Sequence, residues 1–164
     1  MWLFIFLVVQ RVAELIVAHS NKKWMFRRGG VEVESRHYFL FIVLHISFFT
    51  ILLFEWFYFR GMQMWFTPVL IVTFVLLQIL RIWCILSLGR RWNTKIIVIP
   101  DEHLVERGPY RYVRHPNYII VFLELLIIPL IFQAYFTAIV FPLLHLLVLT
   151  VRIPAEERAL EGEF

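Results

Sequence analysis

The amino-acid sequence predicts an all-α membrane protein of five transmembrane helices, the last two folded as a tight helical hairpin. Three observations carry that prediction. Hydrophobic residues make up 61% of the chain and the mean hydropathy is +0.77, whereas an ordinary soluble domain is roughly 45–50% apolar. The apolar residues gather into five runs, and about 20 such residues span a hydrocarbon core. The Lys and Arg residues sit in blocks between the runs, almost all on one side.

Taken in order, residues 2–18 form the first run. No basic region precedes it and no small-residue cleavage site follows it, so it reads as a span rather than a secretory signal peptide. Residues 19–37 read as a polar loop holding Lys22, Lys23, Arg27, Arg28 and Arg36. Residues 38–59 are the second span, and a short loop at Arg60 and Gly61 leads to the third, about 66–88. Pro68 falls in the first turn of that helix, where a missing N–H costs little. A long polar stretch, 89–115, follows. The runs 116–132 and 134–152, separated only around Gln133, form the hairpin, and residues 153–164 read as an acidic tail. With no internal repeat and no low-complexity linker, residues 1–164 are one domain.

Charge sets the orientation. Loop 19–37 holds five Lys/Arg residues and stretch 89–115 holds six (Arg90, Arg91, Lys95, Arg107, Arg111, Arg114), and Arg152 and Arg158 flank the tail. The opposite side holds Arg60 alone. The N-terminus is therefore expected outside, and both large loops and the C-terminus in the cytoplasm. The net charge of +4 is spread in these blocks and none of the usual nucleic-acid signatures occurs, which excludes nucleic acid as a partner. The single cysteine, Cys84, permits no intrachain disulfide and lies in an apolar run, where it reads as packing. No Cys/His spacing points to a metal.

Polar residues inside the spans crowd toward the leaflet of the long polar stretch. Arg11 and Glu14 lie in the inner half of the first helix, Gln78 and Arg81 in that of the third, and Glu124 in the first half of the fourth. His145 and Arg152 lie toward the inner end of the fifth, and Glu55 stands near the far side. A charge in lipid costs several kcal/mol, on the order of 2.5–3.5 by insertion scales, so these groups face inward and pair. Structural pairing alone, as for Arg11 and Glu14 at i,i+3, gives no reason to choose one leaflet.

The stretch His103–Tyr118, HLVERGPYRYVRHPNY, is basic, aromatic and broken by two prolines. Proline disfavours helix at the residue before it and favours the first helical position. His115 is therefore expected at the N-cap and the fourth helix at Pro116. The positive end of that helix then points at the loop beside His115, Arg114 and Arg111, as an anion site would require. The hairpin returns the chain to the same place, bringing Glu156 and Glu157 close to Arg114 and His115. One pole suits a carboxylate and the other an ammonium, and an amino-acid zwitterion fits between them. Alone, a Glu-Glu pair reads as a solvated tail and the arginines as interface markers; neither reading accounts for His-Pro-Asn-Tyr.

The run Arg114-His115-Pro116-x-Tyr118 followed by Glu156-Glu157 resembles the isoprenylcysteine carboxyl methyltransferase family, with RWNTK before it and RIPAEERAL after it. The resemblance covers about residues 90–160, and QRVAEL with the basic loop behind it is similar to the short bacterial, integral-membrane branch. It implies S-adenosylmethionine as cofactor, released as S-adenosylhomocysteine, and a cofactor site of His103, Leu104, Tyr110, Arg114, His115, Tyr118, Glu156 and Glu157. It also implies a bacterial cell membrane, an active site facing the cytoplasm, and a lipidic acceptor entering from the bilayer. Prenylcysteine carboxylates, phospholipid amines and alkylpyrone or alkylresorcinol hydroxyls are the acceptors it allows, with O-methylation of a hydroxyl or carboxylate favoured.

Methyl transfer from a sulfonium is an in-line displacement in which positioning is the main contribution. A carboxylate or acidic enol arrives ionised, whereas a neutral phenol or alcohol needs a base. Arg11, Glu14 and Arg81 are the candidates for the catalytic pole. No Gly-x-Gly occurs, which excludes a Rossmann-type nucleotide site. A membrane NADPH-dependent reductase of the sterol-reductase-like type carries a similar Arg-His-x-Asn-Tyr run, followed by Gly-Glu and a Trp. Here Ile119 and Ile120 follow Tyr118 and no Trp occurs after Trp92. A non-enzymatic scaffold or transporter would show repeats, or polarity at both faces. Apart from membrane lipids, no obligate protein partner is implied, and the chain is expected to be a monomer.

Overall fold

A computed structural model describes residues 1–33, 38–59, 64–100, 102 and 105–161. Five α-helices dominate it: α1 Trp2–Phe26, α2 Tyr38–Tyr58, α3 Pro68–Leu88, α4 Pro116–Ile131 and α5 Tyr135–Leu160. Four of these, α1, α2, α3 and α5, are long and apolar enough to cross a membrane. The fourth in the chain, α4, has 16 residues, about 24 Å of helix against a hydrocarbon core of roughly 30 Å. Outward-facing apolar side chains such as Trp2, Ile16, Leu86 and Leu147 are at least 65% exposed. Faces this apolar suit lipid rather than water and mark an integral membrane protein.

The helix ends follow local chemistry. α1 does not stop at residue 18 but runs to Phe26, because nothing between His19 and Phe26 breaks it. It stops at Gly29-Gly30, where Gly29 has φ 81° and Gly30 N–H donates to Met25 O at 2.9 Å, a Schellman closure. The first part of the expected polar loop is thus helical. α3 starts at Pro68, with Thr67 Oγ1 accepting from Leu70 N–H at 3.3 Å. α5 runs through Pro142 and Pro154 to Leu160, so most of the expected acidic tail is helical too.

Helices α4 and α5 form the hairpin, joined through Phe132–Ala134, with Gln133 in the left-handed region at φ 57°. Glu55 of α2 caps the incoming helix. Its carboxylate accepts from Phe136 N–H and Thr137 N–H, both at 3.0 Å, and from the Thr137 hydroxyl at 2.8 Å. The far-side carboxylate therefore answers open N–H groups at a helix start.

The bundle is packed at one end and hollow at the other. Leu52, Trp56, Ile128, Phe132 and Phe141 fill the end near the α4–α5 turn. There Trp56–Phe132 and Phe48–Phe141 meet edge-on at 5.2 and 5.4 Å. At the other end two short strands, β1 Val31–Glu32 and β2 Ile97–Val98, pair antiparallel and tie the polar segments together. Asn21 donates to Trp92 O at 2.7 Å and Asn93 to Ala18 O at 3.0 Å, which seats the segment after α3 on the last turns of α1.

Candidate active site

The hollow end encloses a cavity of about 460 Å³, within the ~300–1,000 Å³ range of small-molecule sites. α1 contributes Arg11 and Glu14, α3 contributes Arg81, and α4 with its entry contributes Arg114, His115, Asn117 and Tyr118. α5 adds Arg152 and Glu156, and Tyr110 comes from a 3-10 turn at Gly108–Arg111. The residues expected at the catalytic pole and most of those expected at the cofactor pole thus share one cavity. Glu157 stands beside it, paired with His115 and Arg114. His103 and Leu104 lie outside the described residues.

The catalytic-pole candidates form a closed network. The Arg81 guanidinium donates to Glu14 at 2.5 and 2.6 Å and to Glu124 at 2.9 Å. Arg11 donates to Glu14 at 3.0 Å and to Glu124 at 2.6 Å. Gln78 donates to Glu124 at 3.0 Å, and Gln10 bridges Gln78 and Glu14 at 2.7 and 3.3 Å. Two arginines meet two carboxylates, so the formal charges cancel. Arg81 and Glu124 are almost fully buried, whereas Arg11 keeps 19% of its side chain exposed. The network joins α1, α3 and α4 and forms a polar floor with no uncompensated cation.

The other pole is looser. His115 precedes Pro116 at the start of α4, as proline chemistry requires, but its side chain makes no capping hydrogen bond. Pro116 has no N–H and Tyr118 N–H turns back to His115 O at 3.2 Å. The helix end therefore supplies fewer open donors than its sequence promises, and side chains carry the site instead. His115 Nε2 lies 3.4 Å from Glu157 and Nδ1 lies 4.0 Å from Glu156, while Arg114 lies 3.5 Å from Glu157. The Tyr118 hydroxyl donates to Glu156 and accepts from Arg152 Nε at 3.2 Å. Arg152 also donates to Thr94 O at 3.0 Å and lies over the Phe41 ring at 5.5 Å, locking α5 to the segment after α3 and to α2.

Burial pushes the Tyr110 phenol above its ordinary range, and the neighbouring Cys84 and Glu156 push it the same way. Tyr110 therefore remains a hydroxyl donor at neutral pH. Gly108, at φ 56°, lets this turn lie against α3: a Cβ there would meet Ser87 Oγ at 2.1 Å and Trp83 Nε1 at 3.0 Å.

The sequence reading misses α2. Tyr38, Phe41, Ile42, His45, Ile46 and Phe49 make one helical stripe along the cavity. Only that spacing links a lone His to the aromatics around it, and the span otherwise reads as lipid-facing. Asn117 is missed as well; its Oδ1 is buried and, among the described residues, has no hydrogen-bond partner.

S-adenosylmethionine presents an ammonium, a carboxylate, an adenine and a sulfonium. The cavity offers it the Glu156 carboxylate with that of Glu157 beside it, the Arg114 guanidinium, the His115 imidazole, and an orphaned buried acceptor at Asn117. Aromatic faces run alongside, with His115 and Tyr118 stacked at 5.5 Å and Tyr118 and Phe41 at 6.3 Å. The residues present fit the group.

An uncharacterised protein of Bacillus subtilis, YpbQ, is 42% identical over 162 residues, covering 98% of this chain and 96% of its own. An uncharacterised protein of Haemophilus influenzae is 28% identical over 159 residues, covering 94% of this chain and 90% of its own. No solved structure matches the chain. Residues 69–162, the segment from α3 through the signature to the end of α5, match the family described as the Isoprenylcysteine carboxyl methyltransferase (ICMT) family. That match spans more than half of the chain and contains the whole Arg114–Glu157 pole, so the chain belongs to the isoprenylcysteine carboxyl methyltransferase family.

Proposed function

We propose that this protein is an integral-membrane, S-adenosylmethionine-dependent methyltransferase acting on a hydroxyl or carboxylate of a lipidic acceptor, prenylcysteine-like or alkylpyrone- or alkylresorcinol-like. The observation that carries the reading is one cavity with Arg114, His115 and Glu156 at one end, Glu157 beside them, and the polar floor of Arg11, Glu14 and Arg81 at the other. His115 and Arg114 hold the cofactor's carboxylate, Glu156 and Glu157 its ammonium, and Tyr110, Tyr118, His103 and Leu104 the remainder. When bound, the cofactor supplies an activated methyl on a sulfonium. The floor receives the polar head of the acceptor while its tail stays in hydrocarbon. The acceptor enters laterally from the inner leaflet, the cofactor enters from the cytoplasm of a bacterial cell, and a monomer suffices.

In this arrangement the chain's contribution is positioning and the exclusion of water. Being already neutralised, Arg11, Glu14 and Arg81 orient the head by hydrogen bonds rather than by net charge. Titration of the detergent-purified protein with S-adenosylhomocysteine and, separately, with NADPH tests the reading. We expect saturable heat with the first and none with the second; binding of NADPH alone would move the protein to the reductase class.

A further inference from the structure

We propose that His45 of α2 is the group that takes the proton from the acceptor, so that the site methylates a neutral lipidic hydroxyl and not only acceptors that arrive ionised. The proposal rests on the methyltransferase reading and adds to it the base which that chemistry needs.

The other candidate groups along the cavity already have partners. Glu14 accepts two hydrogen bonds from Arg81 and one from Arg11. Glu156 holds the Tyr118 hydroxyl, and His115 faces Glu157 at 3.4 Å. Lys95 is tied to Glu32 at 2.5 Å. Glu14 and Lys95 are held in ion pairs, and Glu156 and His115 belong to the cofactor pole. His45 differs. Its Nδ1 lies 2.8 Å from Phe41 O. A carbonyl only accepts, so Nδ1 carries the ring proton and the lone pair of the neutral ring sits on Nε2. Among the described residues Nε2 has no partner, and His45 is half-buried in the cavity wall. The ring stacks on Phe41 at 6.4 Å, in the middle of the α2 stripe that lines the cavity. The charged and titratable groups around it are Arg11 and Glu14 of α1, Arg81 of α3, Tyr118 of α4, and His145 and Arg152 of α5. His145, behind Phe41 at 6.0 Å, is fully buried and cannot meet a substrate.

The step balances. The acceptor O–H gives its proton to His45 Nε2 as the oxygen lone pair forms the new O–CH3 bond. The C–S bond breaks with its electron pair left on sulfur, which becomes a neutral thioether. The imidazolium then returns the proton to water.

The test uses the full-length protein in lipid nanodiscs with two variants. His45→Asn keeps a donor for the Phe41 carbonyl, and His45→Phe keeps the ring. Without cofactor, tryptophan fluorescence follows binding of a long-chain 5-alkylresorcinol and of its dimethyl ether. We expect the wild type to prefer the free phenol by about 5- to 10-fold, the worth of one hydrogen bond, and both variants to lose that preference. With cofactor, methyl transfer to the phenol at neutral pH should fall by about 10²- to 10⁴-fold in His45→Asn, with S-adenosylhomocysteine affinity retained. The deficit should shrink as pH rises toward the phenol's own range, about 10, where the acceptor ionises unaided. Wild-type rates in His45→Asn, or an equal preference for phenol and ether in the wild type, would overturn the proposal. A wild type that binds S-adenosylhomocysteine but methylates only a prenylcysteine carboxylate would overturn it and leave the methyltransferase reading standing. A wild type that binds no S-adenosylhomocysteine and transfers no methyl would overturn both.

Discussion

The charged contacts of the cavity divide by length and exposure, and the division says which of them a ligand can take over. Arg114 is 85% exposed and its contact with Glu157 is 3.5 Å. Such a surface pair is worth about 0–1 kcal/mol, so an amino-acid zwitterion can replace it at little cost. The Arg81–Glu14–Glu124 contacts run from 2.5 to 2.9 Å between groups no more than 12% exposed, and breaking a buried pair costs on the order of 3–5 kcal/mol. The outer ring is built to exchange partners and the inner cluster is built to stay. His115→Ala and Glu157→Gln should therefore each weaken S-adenosylhomocysteine binding by about 1.5–3 kcal/mol, roughly 10- to 100-fold, while thermal unfolding stays close to wild type. Calorimetric titration checks this, and unchanged affinity in both would place the zwitterion elsewhere. These residues were readable because proline, a helix start and a returning hairpin leave few places for them to go. His45 and Asn117 were not, because neither belongs to a pattern until the cavity exists.

At the scale of elements, two carboxylates outside the cofactor pole fasten the frame. Glu55 accepts three hydrogen bonds at the start of α5 and is 7% exposed. Glu55→Ala leaves those N–H groups unanswered in a packed interior and should lower stability by about 1.5–3 kcal/mol, seen as an earlier thermal transition with no change in S-adenosylhomocysteine affinity. Glu32 of β1 binds Lys22 at 2.6 Å and Lys95 at 2.5 Å, tying the end of α1 to the segment after α3. Partial burial alone would raise its carboxyl, but the bonds from Lys22 and Lys95 outweigh that and hold it below its ordinary 4.5. The Glu32 bond raises Lys95 above its ordinary 10.5. A depressed carboxyl contributes stability above its unfolded value and loses it as pH falls through the folded one. A raised ammonium contributes below its unfolded value and loses it as pH rises. The clasp is thus complete between the two. The gap in melting temperature between wild type and Glu32→Gln should be flat across neutral pH and close as the pH drops below about 4.5. The helices were legible because apolar runs need only length. Their true ends needed Gly29-Gly30 to be recognised as the stop for α1, and the β1–β2 pairing was illegible because two-residue strands leave no alternation to read.

For the whole molecule, the hollow end and the basic end coincide. Arg27, Arg28, Arg90, Arg91, Lys95 and Arg114 surround the segments tied together by β1 and β2, while the packed aromatic end carries Glu55 and the α4–α5 turn. On the methyltransferase reading a cytosolic cofactor and a bilayer acceptor can meet only if the basic end faces the cytoplasm, the side that the Lys/Arg asymmetry predicts for it. The charge rule ignores His115, Glu156 and Glu157, although it shares Lys95, Arg114 and Arg152 with the cavity. Native Cys84 is fully buried and leaves a silent background. Single cysteines at Arg27, Trp65 and Glu161, all exposed, then report the sidedness. In intact cells a membrane-impermeant maleimide should modify only the cysteine at 65, and permeabilisation should open 27 and 161. Labelling of 27 from outside would turn the active site away from the cytosol and its cofactor pool, and the functional reading would fall with the topology.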